Sequence, residues 1–250
     1  SLSMALIPCG IALLHHHPVE DWLNYVIEYI SCLYSPWSGE SGGWVEGGAY
    51  WTTAMDAVIG GINLLKSYMG INLYERLIFQ RTGDFILNCY CHDQIRCSFC
   101  DQSDLGSRPG LKTAFNMRQL ASITNNGAYQ WYYEQYKPWD TSQICLFYNY
   151  AWWDFYFDDM MFQYDFGEIP SKSPKSQKVN CFLDIVWVAF HNKIDKRDEH
   201  IMALFKSSKF GSISHSHGDQ NAILLHAFGE PLLIESGHYV AFGTPMHLCW

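Results

Sequence analysis

Phe166-Gly167-Glu168-Ile169-Pro170-Ser171-Lys172-Ser173-Pro174-Lys175-Ser176-Gln177-Lys178 is the stretch on which the reading of this sequence turns. It is polar and proline-bearing, the composition of a linker or a domain edge. The chain changes period across it. Upstream, Trp22, Leu23, Val26, Ile27, Ile30, Leu33 and Tyr34 recur at i, i+3 and i+4, the stripe of an amphipathic helix, with Pro18 ahead as a start signal and Pro36 as a stop. Similar patterns predict helices over residues 49–68, 74–88, 112–124, 128–136 and 143–154, separated by turn-rich segments at 35–48 and 101–110. Several helices of similar length joined in this way predict hairpins packed around a common axis. Downstream, β-type runs cover 182–190, 200–206, 212–227, 231–235 and 238–242, and glycine-containing turns between the later ones predict an antiparallel sheet. Helices followed by strands, not alternating with them, argue for α+β and two domains. Trp250 ends the chain in mid-sheet, so the β part reads as truncated.

Composition bounds the function. The chain has 250 residues and a formal net charge of −9, with no stretch basic enough to track a phosphate backbone, which argues against a nucleic-acid partner. Charged and aromatic residues each make up 16%, which excludes a disordered chain and suits a large aromatic-lined surface. The longest apolar runs fall well short of the ~18 residues a membrane span needs. Nine cysteines are an odd number without the spacing of a disulfide framework, and most sit in apolar segments, as reduced buried thiols do. That leans towards a reducing compartment. The opening apolar residues lack a basic flank and a small-residue cleavage site, so no signal peptide is expected within the chain, and the compartment stays open between cytoplasm and periplasm.

Three concentrations of residues could do chemistry. The sharpest is Ser214-His215-Ser216-His217-Gly218-Asp219-Gln220-Asn221. On a strand, His215, His217 and Asp219 would project from one face at ~7 Å spacing, a metal or proton-transfer arrangement, with Glu235 on the next strand as a further carboxylate. The second is Gly42-Gly43-Trp44-Val45-Glu46-Gly47-Gly48-Ala49-Tyr50-Trp51, where glycines would let backbone approach a ligand and aromatic faces would stack on sugar rings. Simple packing of a buried aromatic helix is the competing explanation. The third is Cys89-Tyr90-Cys91-His92 with Cys97 and Cys100, whose spacing departs from a zinc knuckle and reads as structural thiols. Asp158-Asp159 reads as a solvated helix end, and His15–His17 as a surface turn.

Taken together, Trp37-Ser-Gly-Glu-Ser-Gly-Gly-Trp44-Val-Glu46-Gly with Tyr50-Trp51, Asp101…Gly106-Ser-Arg108-Pro, and Phe205-Lys-Ser-Ser followed by the run from Ser214 to Gly237 resemble the heparinase II/III-like polysaccharide lyases, most closely the oligoalginate lyase branch. The resemblance implies an (α/α) toroid-type helical domain over residues 1–168 followed by an antiparallel β-sandwich domain over 179–250, both incomplete. It implies β-elimination at a uronic acid in an acidic oligosaccharide or polysaccharide, alginate oligomers ahead of heparan-type chains. Such chemistry needs the substrate carboxylate neutralised, a base for the C5 proton and an acid for the departing oxygen. By resemblance Tyr50 is the acid, with the base role open to it as well, and His215 lines the same site. A phenol of ordinary pKa ~10 needs nearby positive charge or hydrogen bonds to act as base. Trp44, Glu46, Trp51, Arg108, Gln220 and Asn221 would hold substrate. His217 and Glu235 match positions that bind a structural zinc in relatives, where a further ligand lies on a later strand. The family's Asn/His pair belongs to a helix upstream of Met4 and has no match here, so the chain reads as the middle of a longer enzyme, inactive on its own. Two other functions fit the same scaffold, a uronyl C5-epimerase and a non-catalytic carbohydrate-binding protein. The resemblance leaves endo or exo cleavage and the oligomeric state open.

Overall fold

The computed structural model describes residues 3–32, 37–94, 99–100, 109–136, 169–175, 178–209 and 215–235. The expected helix at 143–154, the strand at 238–242, and Cys97, Arg108, Asp158 and Asp159 lie outside these residues. A short 3-10 turn leads into α1 (Leu6–Leu13), followed by α2 (Glu20–Cys32), α3 (Gly47–Met69), α4 (Leu77–Cys89), α5 (Leu111–Thr124) and α6 (Gly127–Glu134). Five strands follow, β1 (Val179–Phe182), β2 (Trp187–His191), β3 (Ile201–Lys206), β4 (Ala222–Ala227) and β5 (Glu230–Leu233). They form one antiparallel sheet in sequential order. The protein is α+β, helices first.

Most of the expected stripe behaves as its spacing requires. Leu23, Val26 and Ile30 are buried along α2, with Val19 buried just ahead of it, but Trp22, expected on the same stripe, is exposed, as is Tyr25. Glu20 and Asp21 sit in the first turn, where the helix dipole favours negative charge. Helix α1 was not anticipated, because Pro8 and Gly10 mask it. Pro8 falls in the first turn, where its missing N–H removes no helical bond. Gly10 packs against α2 so closely that a Cβ there would lie 2.7 Å from a Leu23 methyl. Between α5 and α6, the Asn126 side chain caps α6 by accepting from the Ala128 N–H at 2.9 Å.

Two strand expectations are corrected. The run 182–190 is not one strand but a hairpin, β1 and β2 joined by a turn at 183–186. The turn is held from outside: the Asp184 carboxylate accepts from both the N–H and the hydroxyl of Ser41. Of the described residues in the run 212–227, only those from Ala222 form a strand, and residues 215–221 form a loop. That loop is gathered round a buried lysine, described below, which competes for the groups a strand would otherwise use.

The inner face of the sheet carries Trp187, Ala189 and His191 from β2, Met202, Leu204 and Lys206 from β3, and Leu224 and His226 from β4. An apolar middle therefore has Lys206 at one end and imidazoles at the other. Helices and sheet share one buried cluster. Phe85 of α4 meets Phe182 edge-on at 5.4 Å and Trp187 at 5.5 Å, and Phe99 meets Trp187 at 5.2 Å. Phe190, Ile223, Leu232 and Leu233 of the sheet are exposed.

Asp84 on α4 tests this packing. Burial raises its carboxyl above the ordinary value, against the hydrogen bond from the Tyr129 hydroxyl (2.9 Å) and the charge of Arg81. A raised folded pKa means stability is fullest at low pH and is lost as pH rises from the unfolded value through the folded one. Asp84→Asn keeps an acceptor for Tyr129 and removes the charge. We expect a higher melting temperature at neutral pH and a flatter stability profile across the acid range, measured by thermal melts at stepped pH.

Candidate functional site

The glycine-rich segment is positioned by protein, not held open for a ligand. Residues 37–46 form a tight loop, with a bridge between Ser38 and Trp44 and the Val45 N–H donating to Trp37 O at 2.8 Å. Gly42 has φ +82°, and a Cβ on it would sit 2.6 Å from the Arg81 backbone. A Cβ on Gly43 would come within 2.7 Å of Ile185 in the β1–β2 turn, and one on Gly48 would overlap the Tyr90 ring. These approaches register the start of α3 against both α4 and the sheet. Trp51 is then a core residue with 0% exposure, its indole N–H on the Thr82 hydroxyl at 2.6 Å. Trp44 is enclosed and donates to Glu46, itself buried, at 3.3 Å. Rings without exposed surface offer no face to a sugar, so the expected stacking by Trp44 and Trp51 is replaced by a structural role. Gly48→Ala should cost about 1–3 kcal/mol by overpacking, read as a lower urea midpoint with unchanged slope.

Tyr50, in the first turn of α3, does reach the loop before β4. Its ring stacks on His215 with centroids 3.5 Å apart and planes 11° from parallel. Both residues are half-buried, so a phenol and an imidazole share one partly open position at the seam between helices and sheet. This is an arrangement for exchanging a proton with a bound group.

Behind it lies a residue that sequence reasoning passed over. Lys206, at the inward end of β3, has 0% exposure. Its ammonium pairs with the Asp219 carboxylate and donates to His217 O at 3.1 Å and to the Ser216 hydroxyl at 3.4 Å, while the Cys100 sulfur lies 3.8 Å away. The aromatic faces of Phe99 and Trp187 stand 5.8 and 5.9 Å from it. Burial pushes the Cys100 thiol up to about 12, against the opposing pull of Lys206. The signal was present as strand alternation, which places Lys206 on the same face as Met202 and Leu204.

His217 and Glu235, expected as metal ligands, are brought into direct contact, Nδ1 on Oε1. Asp219 completes a group of three whose donor atoms all lie within 4.8 Å of one another. Asp219 Oδ2 and Glu235 Oε2 are buried without hydrogen-bond partners. One imidazole with two orphaned carboxylate oxygens is a donor set that fits zinc. Burial raises the Glu235 carboxyl above its usual range, with His217 pulling the other way. The remaining expected substrate residues sit nearby in sequence but differ in state: Asn221 is exposed and accepts from the Ser207 hydroxyl at 3.0 Å, and the Gln220 amide reaches Lys209 O at 3.5 Å.

Comparison with known proteins follows this geometry. No family model matches the chain, and no curated protein matches it. Solved structures do. A heparinase III aligns over 99% of this chain with a TM-score of 0.68 at 11% identity. The heparinase III BT4657 gene product aligns over 98% with 0.66 at 13%. The heparan sulfate lyase HepC from Pedobacter heparinus aligns over 99% with 0.64 at 14%. The chain spans about a third of their length, between 33% and 36%. The fold is heparinase III-like. No helix among the described residues is long and apolar enough to cross a membrane.

Proposed function

We propose that this chain carries the acid–base centre of a polysaccharide lyase that cleaves uronate-containing chains by β-elimination. The stacked Tyr50–His215 pair at the seam of helices and sheet is the observation that carries this reading. Tyr50 protonates the departing glycosidic oxygen and can take the C5 proton; His215 holds the phenol in place and lines the subsite. Lys206 does not neutralise the substrate carboxylate, since its ammonium is sequestered beneath the loop by Asp219. That task falls to groups outside the described residues, Arg108 among them. His217, Asp219 and Glu235 are the residues that would hold a structural zinc, and its positive charge would fix the loop bearing His215.

The sequence motifs favour alginate oligomers as substrate, while the likeness to a heparan sulfate lyase favours heparan sulfate as a second reading. The test is ultraviolet absorbance of a 4,5-unsaturated uronate when the full-length protein meets alginate oligomers, then heparan and chondroitin chains. A rise on one of them, lost in Tyr50→Phe, supports the lyase and names the substrate. Deuterium entering C5 without cleavage would make it an epimerase. Binding with neither reaction would make it a carbohydrate-binding protein.

A further inference from the structure

A second polar cluster lies at the opposite end of the sheet's inner face, four residues along β2 and β3 from Lys206 and so roughly 13 Å away along the strands. We propose that Cys91, His191 and His200 bind a zinc-class transition-metal ion, with Asp93 and the Asn88 carbonyl orienting the two imidazoles. The Cys91 sulfur and the ring nitrogens of both histidines offer donor atoms within 4.8 Å of one another, and all three residues are buried. A thiolate and two imidazoles are the ligand types zinc selects.

The surroundings are those of ligating histidines, which donate the second ring N–H to a carboxylate or a backbone carbonyl. His191 Nε2 donates to Asn88 O at 2.8 Å, and His200 Nδ1 donates to Asp93 Oδ2 at 2.9 Å. These two bonds settle the tautomers, leaving His191 Nδ1 and His200 Nε2 to face each other at 2.9 Å. With both outer nitrogens already donating, a hydrogen bond between the inner pair requires one ring to carry two protons at essentially no exposure. An ion between them removes that requirement. It displaces two protons: the one shared by the rings, and the thiol proton Cys91 now gives to Leu87 O at 3.1 Å. Zinc then balances one thiolate and the Asp93 carboxylate.

Two further observations point the same way. The Met202 thioether lies 3.9 Å from the Cys91 sulfur, which gives the cluster a second soft donor. His226 stands opposite Met202 in the β3–β4 register with 0% exposure and neither ring nitrogen hydrogen-bonded, and Asp93 Oδ1 is likewise orphaned. Buried polar atoms without partners are rare in folded proteins. His226 thus adds an unpartnered imidazole on the strand next to the cluster. Nothing here depends on the lyase reading, because the cluster shares no residue with Tyr50 or the His217 group.

Cobalt(II) reports this site by colour. Titrated into the reduced chain, it should give a thiolate-to-cobalt charge-transfer band in the near ultraviolet with tetrahedral visible bands, and zinc should displace it. The band should persist in Cys100→Ser and in His217→Ala, and vanish in Cys91→Ser. Asp93→Asn keeps the shape of the side chain and should weaken zinc binding about 10–100-fold, which keeps the test open if Cys91→Ser fails to fold. No thiolate band, a band indifferent to Cys91→Ser, or unchanged zinc affinity in Asp93→Asn would each overturn the proposal.

Discussion

Replacing Lys206 with methionine should lower stability by about 3–5 kcal/mol, the cost of leaving a buried charge without its partner. The ammonium is fully enclosed, and the Asp219 side chain is only 10% exposed. In the metal-free chain, removing the lysine strands a carboxylate whose second oxygen already lacks a hydrogen bond, and takes a donor away from His217 O and the Ser216 hydroxyl. In a chain of this size the melting temperature should fall on the order of 10 °C. The double variant Lys206→Met with Asp219→Asn should recover much of the loss, since neither charge then remains buried. Denaturant titration of the two single variants and the double one measures the coupling. A loss below ~1 kcal/mol for Lys206→Met is the figure for an exposed ion pair, and would mean that this lysine does not organise the loop. Because the same loop carries His215, uronate turnover should fall alongside stability.

Tyr50→Phe should have the largest effect on activity. The substitution keeps the ring that stacks on His215 and deletes only the hydroxyl, so stability and substrate affinity should change little. Removing a positioned acid–base group costs about 10²–10⁴-fold in rate. The expected pattern is a fall in kcat with KM nearly unchanged, since the phenolic proton matters in the transition state and not in binding. His215→Ala should differ from it by lowering kcat and raising KM, because the phenol loses the ring that orients it and the substrate loses a group that lines its subsite. Equal kcat for wild type and Tyr50→Phe would take the acid role away from Tyr50.

Local pattern was enough for much of the architecture. The 3.6-residue stripe of Val19, Leu23, Val26 and Ile30 dictates which side of α2 is buried, because only that spacing puts four side chains on one face. Alternation in β3 places Met202, Leu204 and Lys206 together for the corresponding reason. The order of helices before strands was legible too, as was the meeting of Tyr50 with His215 and of His217 with Glu235. Other features were not. Residues 215–221 alternate as a strand would, yet they wrap around Lys206, because a buried ammonium draws carbonyl, hydroxyl and carboxylate acceptors to itself. The glycines at 42, 43 and 48 look like room for a ligand, but their space is taken by Arg81, Ile185 and Tyr90. Cys91 invites pairing with its neighbours Cys89, Cys97 and Cys100. Its sulfur instead lies within 4.8 Å of ring nitrogens of His191 and His200, about a hundred residues further on. Periodicity records what a residue does to its own helix or strand. Which distant side chains share a buried space is decided by strand register and by how the sheet seats against the helices, and that only the tertiary structure supplies.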